Sequence, residues 1–243
     1  MPTPHDSTPA RVHWPDLGAW SPGEPVVVRG DEAHHAARVR RLRAGDPVEL
    51  FDGAGRTLGA VLVSIAGARQ HPELQLEAAE AVAHHPPPAP PVEVFAPVPR
   101  GDRLTTMLEQ LSQVGASGWT PLVTARAQGD RTDLKRDKGE RVALESAKQC
   151  RRAWVLRIGE PTRFEDAVRT PGALLFDGSG EDAGPGPDAS GPVRLLVGPE
   201  GGWTPQELDA ARAAGVRIVR LPTHVLRLET AAVAAVVWAL CTR

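Results

Sequence analysis

Apolar and polar residues follow two different patterns along the chain, one before and one after a proline-rich stretch. In the first part, apolar residues alternate with polar ones or form short β-branched runs between turn residues, which is typical of strands. Strands are predicted at 25–28, 47–51, 57–65 and 73–79, with one helix at 32–42. Small β-barrels are built from strands of this kind.

In the second part, strand patterns alternate with helix patterns. Strands are predicted at 92–98, 119–124, 173–176, 193–197 and 216–221, and helices at 102–115, 135–152, 204–215 and 230–240. Thr204 and Glu207 form a capping box with Pro205 at the first helical position. Such alternation predicts an α/β domain with a mainly parallel sheet. The segment 178–191 is rich in Gly, Pro and Asp and is predicted to be a mobile surface loop.

The proline-rich stretch at 84–91 cannot lie inside a helix or a central strand, because proline lacks an amide donor. We therefore predict a β-barrel domain over 1–83, a linker over 84–91 and an α/β domain over 92–243.

Composition narrows the class of protein. Hydrophobic residues make up 41% of the chain, enough to form a sizeable core. The formal charge of −2 argues against a protein that binds polyanions over its whole surface. The two cysteines lie far apart, and the sequence has neither a signal-peptide pattern nor a membrane-spanning apolar run. These features predict a cytoplasmic protein that does not enter a membrane.

The glycine turn, residues 198–202 with the sequence G-P-E-G-G, follows a predicted strand and precedes the capped helix. In open α/β sheets, ligands bind beyond the carboxyl ends of strands, and glycines allow the backbone to approach a ligand closely. Glu200 would repel a phosphate, so this turn is not a P-loop. An ordinary strand–helix turn is the alternative interpretation.

A polar loop, residues 221–227, follows the last predicted strand, and Arg227 and Glu229 flank the start of the last helix. Taken alone, these two residues are better explained by a surface ion pair worth roughly 0–1 kcal/mol. The glycine turn and the polar loop together indicate a class of protein more specifically than Arg227 and Glu229 do alone.

Together these segments resemble the C-terminal motifs of the SPOUT methyltransferases. Within that class the chain is similar to the ribosomal RNA small subunit methyltransferase E family, which methylates N3 of a uridine and typically carries G-P-E-G-G followed by L-G-x-R-x-L-R-x-E-T-A. Pro222 and His224 depart from the second motif, and Lys148 stands where the family usually has Glu. Residues 35–55 are similar to the PUA-like barrel of the family.

The resemblance implies a deep trefoil knot in the α/β domain, a homodimer, and bent S-adenosylmethionine held largely by backbone groups. The residues implied in cofactor binding are Leu196, Gly198, Pro199, Glu200, Gly201, Gly202, Leu221, Leu226, Thr230 and Ala231. The implied partner is ribosomal RNA or the small ribosomal subunit.

Two residues are implied in catalysis. Arg227 would stabilise the uracil anion, and Glu229 would orient Arg227 or accept the N3 proton. The arginines implied in RNA binding are Arg38, Arg40, Arg41, Arg103, Arg126 and Arg152. The paired histidines lack metal-ligand spacing, so no metal site is predicted.

Two other functions fit the same residues. One is a non-catalytic RNA-binding factor for ribosome assembly, for which Pro222 and Lys148 are the best support. The other is a methyltransferase of the same class that acts on transfer RNA. Cofactor binding separates the first from the main prediction, and mapping of the methylated nucleotide separates the second.

Overall fold

The computed structural model describes residues 8–68, 70–127, 136–187 and 191–241. The chain divides into two compact units. Unit 1 comprises Met1–Pro86 with Arg151–Trp154, and unit 2 comprises Pro87–Cys150 with Val155–Arg243.

Unit 1 is built on one mainly antiparallel sheet. Its elements are β1 (Ala10–His13), a 3-10 helix (Pro15–Gly18), β2 (Val26–Val28), α1 (Gly30–Arg38), β3 (Pro47–Phe51), β4 (Arg56–Ala68), β5 (His71–Ala78) and β6 (Ala83–His84). The sheet order is β1-β3-β4-β5-β2, and β6 pairs with β4. Only β1 and β3 run parallel; the other pairs are antiparallel.

Strand β4 shows how sequence produces this unit. Leu58, Ala60 and Leu62 point into the core, whereas Val61 and Val63 between and beyond them are exposed. This two-residue period is the geometry of a half-buried strand, so the predicted strand at 57–65 is confirmed. The predicted strand at 47–51 is also confirmed, with identical bounds.

Strand β1 was not predicted, because its neighbourhood is polar and rich in proline. Its Arg11 is only 6% exposed. The guanidinium is ion-paired with Glu49, lies 4.4 Å from the centroid of the Phe51 ring, and donates at 2.7 Å to the carbonyl of Arg152. These partners are far away in sequence, so no local pattern indicates that this arginine is buried.

Unit 2 alternates strands and helices. Its elements are β7 (Val92–Ala96), α2 (Arg103–Val114), β8 (Gly118–Val123), α3 (Arg136–Gln149), β9 (Arg157–Ile158), β10 (Thr162–Arg163), α4 (Phe164–Ala167), β11 (Ala173–Asp182), β12 (Val193–Val197), α5 (Pro205–Ala213), β13 (Arg217–Arg220) and α6 (Leu228–Cys241). The sheet order is β10-β8-β7-β12-β11-β13, with β9 on β8, and every pair is parallel. The predicted α/β class with a mainly parallel sheet is confirmed.

The central strands β7 and β12 are covered by α2 and α6. Leu108 and Leu111, two of the apolar positions that predict α2, have no exposed surface. Gly115 ends this helix in the left-handed conformation, with φ of 101°. Asp102 precedes the helix, as predicted, but its side chain makes no capping bond. No helix within the described ranges is both long and apolar enough to cross a membrane.

The predicted surface loop at 178–191 is wrong for its first residues. β11 continues through Asp182 after a bulge that follows Phe176, and Glu181 and Asp182 pair with β13. Arg220 on β13 holds Asp182 at 2.7 Å. Gly and Asp predict turns locally, but pairing with a strand almost forty residues later overrides that preference. Residues 188–190 of this prediction lie outside the described residues.

The capping box of α5 is confirmed, and it does more than cap the helix. The Thr204 hydroxyl accepts from the Glu207 amide at 3.2 Å, while the Glu207 carboxylate accepts from the Thr204 amide at 2.8 Å. The other carboxylate oxygen of Glu207 accepts from the amide of Ala125, just after β8, at 2.9 Å. The start of α5 is therefore bonded to the segment that follows β8, a strand two positions away in the sheet from β12, which precedes α5.

We expect Thr204→Ala to lower the free energy of unfolding by about 1 kcal/mol, because it leaves the Glu207 amide at the start of α5 without its partner. Urea unfolding followed by tryptophan fluorescence measures the change. Thr106→Ala removes the same atoms from an exposed site on α2 and is expected to change stability by less than about 0.5 kcal/mol. Equal unfolding midpoints for the two variants would contradict the capping role.

Candidate functional site

A cavity of about 310 Å³ lies in unit 2 at the carboxyl ends of three neighbouring strands, β12, β11 and β13. This is where open parallel sheets bind ligands, and the volume falls within the range of small-molecule sites. The cavity is lined by Phe176, Asp177, Gly178, Val197, Gly198, Pro199, Glu200, Gly202, Trp203, Val219, Arg220, Leu221, Thr223, His224, Val225, Leu226, Leu228 and Ala231.

The glycine turn forms one wall of this cavity, and Trp203 fixes its shape. The indole nitrogen of Trp203 donates at 2.9 Å to the carbonyl of Phe176, the last residue of β11 that pairs with β12. A Cβ atom on Gly198 would lie only 2.9 Å from that indole ring. Gly202 has φ of 68°, a backbone conformation that favours glycine. Two of the glycines are therefore required by close approach and by backbone conformation.

The polar loop forms the opposite wall. The Thr223 amide donates to the carbonyl of Leu221 at 2.8 Å, which turns the chain sharply after β13. Leu221 and Leu226 line the cavity, and so does His224, one of the two departures from the family motif. Pro222, the other departure, is exposed.

Arg227 is exposed and lies immediately before α6. The Ala231 amide donates to its carbonyl at 2.8 Å, so Arg227 sits at the amino end of the helix. A cation is disfavoured there by the helix dipole, by about 0.3–1 kcal/mol. Its position therefore gives the helix no stability.

Glu229 lies in the first turn of α6 and is only 8% exposed. Its Oε2 atom is buried and has no hydrogen-bond partner among the described residues. An unsatisfied buried polar atom costs about 1–3 kcal/mol, and a role in binding or catalysis is one explanation for keeping it. Among the described residues, no ion pair joins Glu229 to Arg227.

The structure brings seven of the ten predicted cofactor-binding residues to the cavity wall: Gly198, Pro199, Glu200, Gly202, Leu221, Leu226 and Ala231. The other three lie elsewhere. Leu196 is fully buried in the core, Gly201 faces a neighbouring cleft, and Thr230 is exposed on α6.

Asp177 lines the cavity but was not singled out from the sequence. One of its carboxylate oxygens accepts from the amide and the hydroxyl of Ser179, at 2.8 and 2.6 Å, which holds the side chain in place. Asp177 directly follows a predicted strand, which is where open α/β sheets bind ligands. The Gly- and Asp-rich residues after it resemble an ordinary loop, so the local pattern does not distinguish Asp177 as a site residue.

The predicted RNA-binding arginines are divided between the two units. Arg38, Arg40 and Arg41 are exposed at the end of α1 and just after it in unit 1, and Arg152 belongs to the short segment that packs with that unit. Arg103 and Arg126 line a cleft of unit 2. Arg126 donates through Nη1 to the carbonyls of Gly201 and Trp203, at 2.8 and 3.1 Å.

Lys148, the third departure from the family pattern, lies on α3 and away from the cavity. It is only 7% exposed, and its ammonium group lies 2.5 Å from Glu145. Within the described part of the chain, no three His, Cys, Asp or Glu side chains are grouped as a metal site would require.

Comparison with known proteins shows the family of the chain. An RNA methyltransferase domain model matches residues 86–240, and an RNA methyltransferase PUA domain model matches residues 28–69. The ribosomal RNA small subunit methyltransferase E of Mycobacterium bovis is 34% identical over 235 residues, covering 91% of this chain and 86% of the relative. The Synechocystis protein of the same name is 28% identical, covering 85% of this chain and 69% of its own length.

Solved structures share the fold. A methyltransferase E from Neisseria gonorrhoeae bound to S-adenosyl methionine superposes with a TM-score of 0.79 at 24% identity, covering 94% of this chain and 95% of that chain. A Legionella pneumophila protein, described as a methyltransferase in complex with the bound cofactor SAM, has a TM-score of 0.81 at 22% identity, with 95% and 96% covered. The resemblance predicted from the two motifs is confirmed: the chain belongs to the ribosomal RNA small subunit methyltransferase E family.

Proposed function

We propose that this protein transfers a methyl group from S-adenosylmethionine to N3 of a specific uridine in 16S ribosomal RNA. The observation that carries the proposal is the cavity at the ends of β12, β11 and β13, whose walls are the glycine turn and the polar loop. Membership of an rRNA methyltransferase family, with structural neighbours that bind S-adenosylmethionine, supports the same conclusion.

The cavity suits the cofactor chemically. S-adenosylmethionine, when bound, supplies a methyl group made electrophilic by a positively charged sulfur. Glu200 and Asp177 place carboxylates at the cavity wall, where they would offset the positive charges of that ligand. Gly198 and Gly202 expose backbone groups, and Leu226 offers an apolar face to the non-polar parts of the molecule.

The uracil N3 position holds a weakly acidic proton, so the protein must remove that proton and stabilise the anion that remains. Arg227 is exposed at the end of the polar loop and, like Glu229, is not part of the cavity lining; it would act as a cation beside the uracil oxygens of the bound RNA. Glu229 has a buried carboxylate oxygen without a partner, which supports it as the proton acceptor. The target base must leave its stack to reach this site.

The remaining features belong to the same proposal. Arg38, Arg40 and Arg41 would contact RNA phosphates from the barrel, and Arg152 would do so from the segment that packs with it. The C-terminal part would carry the trefoil knot of SPOUT proteins, and two copies would form a homodimer. On α6, Ala232 and Ala235 are buried in the core of this chain, whereas Ala231 and Ala234 keep part of their surface exposed.

Ribosomal RNA that lacks the modification tests the reaction itself. We expect small-subunit RNA incubated with the protein and S-adenosylmethionine to yield 3-methyluridine when its nucleosides are analysed by mass spectrometry. Primer extension locates the nucleotide, because a methyl group on N3 blocks base pairing. A different methylated nucleoside would contradict the proposal, and product on transfer RNA alone would indicate the transfer RNA enzyme.

Replacing Arg227 by alanine separates catalysis from binding. We expect Arg227→Ala to reduce turnover by about 10²–10³-fold, because the developing negative charge on uracil loses its fixed cation. Cofactor affinity and the unfolding temperature should stay close to those of the wild type. Arg227→Lys keeps the charge without the planar fork and should recover part of the rate.

The matched control is Arg212→Ala, which removes an exposed arginine from α5. It should keep wild-type turnover in the same assay. Wild-type turnover of Arg227→Ala would remove this residue from the mechanism.

Gly198→Ala tests the cofactor wall. The added methyl group would press on the Trp203 indole, so we expect affinity for S-adenosylmethionine to fall by about tenfold or more and stability by about 1–3 kcal/mol. Isothermal titration calorimetry measures the affinity. Gly191→Ala, just before β12, adds the same group in open space and should bind like the wild type. Failure of the wild type to bind would favour the non-catalytic assembly factor.

A further inference from the structure

A second cleft, of about 660 Å³, opens in unit 2 beside the cofactor cavity. We call it the arginine cleft, because its lining contains three arginines: Arg100, Arg103, Ala125, Arg126, Ala127, Glu200 and Gly201 form its wall. These residues come from the segments that follow β7, β8 and β12, which are adjacent in the sheet. Arginines from two separate segments therefore converge at the carboxyl ends of neighbouring strands.

The charges of the cleft are not balanced. Three arginines against one glutamate give its lining a formal charge of +2. The one ion pair within it, between Arg103 and Glu200, spans 3.5 Å with both side chains about half exposed, so it contributes little stability. Small residues, Ala125, Ala127 and Gly201, leave room for a ligand beside the guanidinium groups. The site therefore suits an anion with several oxygens.

The arginine cleft and the cofactor cavity share a wall. Glu200 lines both, with the cofactor cavity on one side and the arginines on the other. Arg126 strengthens this wall by donating to the carbonyls of Gly201 and Trp203 in and next to the glycine turn. An anion in the cleft would therefore lie next to the place where the reacting base must be presented.

We propose that the arginine cleft binds a backbone phosphate of the RNA next to the nucleotide that is methylated. Arginine recognises phosphate through a planar fork of donors, and α2 begins at Arg103 with its positive dipole end toward this edge. The inference rests on the proposed function, because it takes the substrate to be RNA. It adds Arg100 to the predicted contacts and gives Arg103 a specific role.

The salt dependence of RNA binding tests the proposal. The double variant Arg100→Gln with Arg103→Gln removes two cations and leaves Arg126, which holds the glycine turn, in place. The probe is a labelled transcript of small-subunit ribosomal RNA, titrated with the full chain over a range of salt concentrations. Loss of one phosphate contact should reduce the slope of log affinity against log salt by roughly 0.7 in magnitude, and we expect that reduction for the double variant.

The control variant removes the same charge from the other end of the sheet, where β11 and β13 begin. Arg169 lines a cleft between the end of α4 and the start of β11, and Arg212 lies in the last turn of α5. Both are exposed, and the pair Arg169→Gln with Arg212→Gln should keep the wild-type slope. Arg100→Gln alone provides a second test at an exposed site, and its reduction should be smaller than the roughly 0.7 expected for loss of the whole phosphate contact.

Three results would overturn the proposal. They are an unchanged slope in the cleft variants, an equal loss in the control variant, and a loss of S-adenosylmethionine affinity without a change in RNA binding. The last would mean that the arginines hold the carboxylate of the cofactor. Nucleoside analysis of the wild type is judged separately: a changed slope without 3-methyluridine would keep the phosphate site and reject the proposed reaction.

Discussion

The hydrogen bond from the Trp203 indole to the Phe176 carbonyl holds together the part of the sheet where the cavity lies. It joins the turn after β12 to the last residue of β11 that pairs with β12, and the ring also packs against Phe164, with centroids 5.2 Å apart. Because the indole occupies the space beside Gly198, only glycine fits at that position. The shape of the cavity wall thus depends on the buried Trp203 side chain and on the lack of a side chain at Gly198.

Around this anchor, the exits of several parallel strands are bonded to one another. Glu207 links the start of α5 to the exit of β8, and Arg126 links the same exit to the glycine turn. These bonds connect the segments at the carboxyl ends of the strands, and both the cofactor cavity and the arginine cleft lie among them. Glu200 stands between them, so a carboxylate suited to a cationic cofactor borders a cleft suited to an anionic chain.

At the start of α6, by contrast, two residues lower the stability of the fold. Arg227 places a positive charge at the positive end of the helix, and Glu229 buries a carboxylate oxygen that has no partner among the described residues. Both arrangements cost folding free energy. Strain of this kind is concentrated at functional sites, which supports the proposed roles of these two residues.

The sequence by itself determined what short-range chemistry decides. Periodicity placed β3 and β12 with their observed bounds, the capping box placed the start of α5, and the two motifs identified the family. Tertiary structure decided the rest. The burial of Arg11, the continuation of β11 beyond Phe176, and the convergence of Asp177 and the arginine cleft on one sheet edge depend on partners tens of residues away. Such contacts form only when strands distant in sequence become neighbours, so no local pattern of polar and apolar residues can specify them.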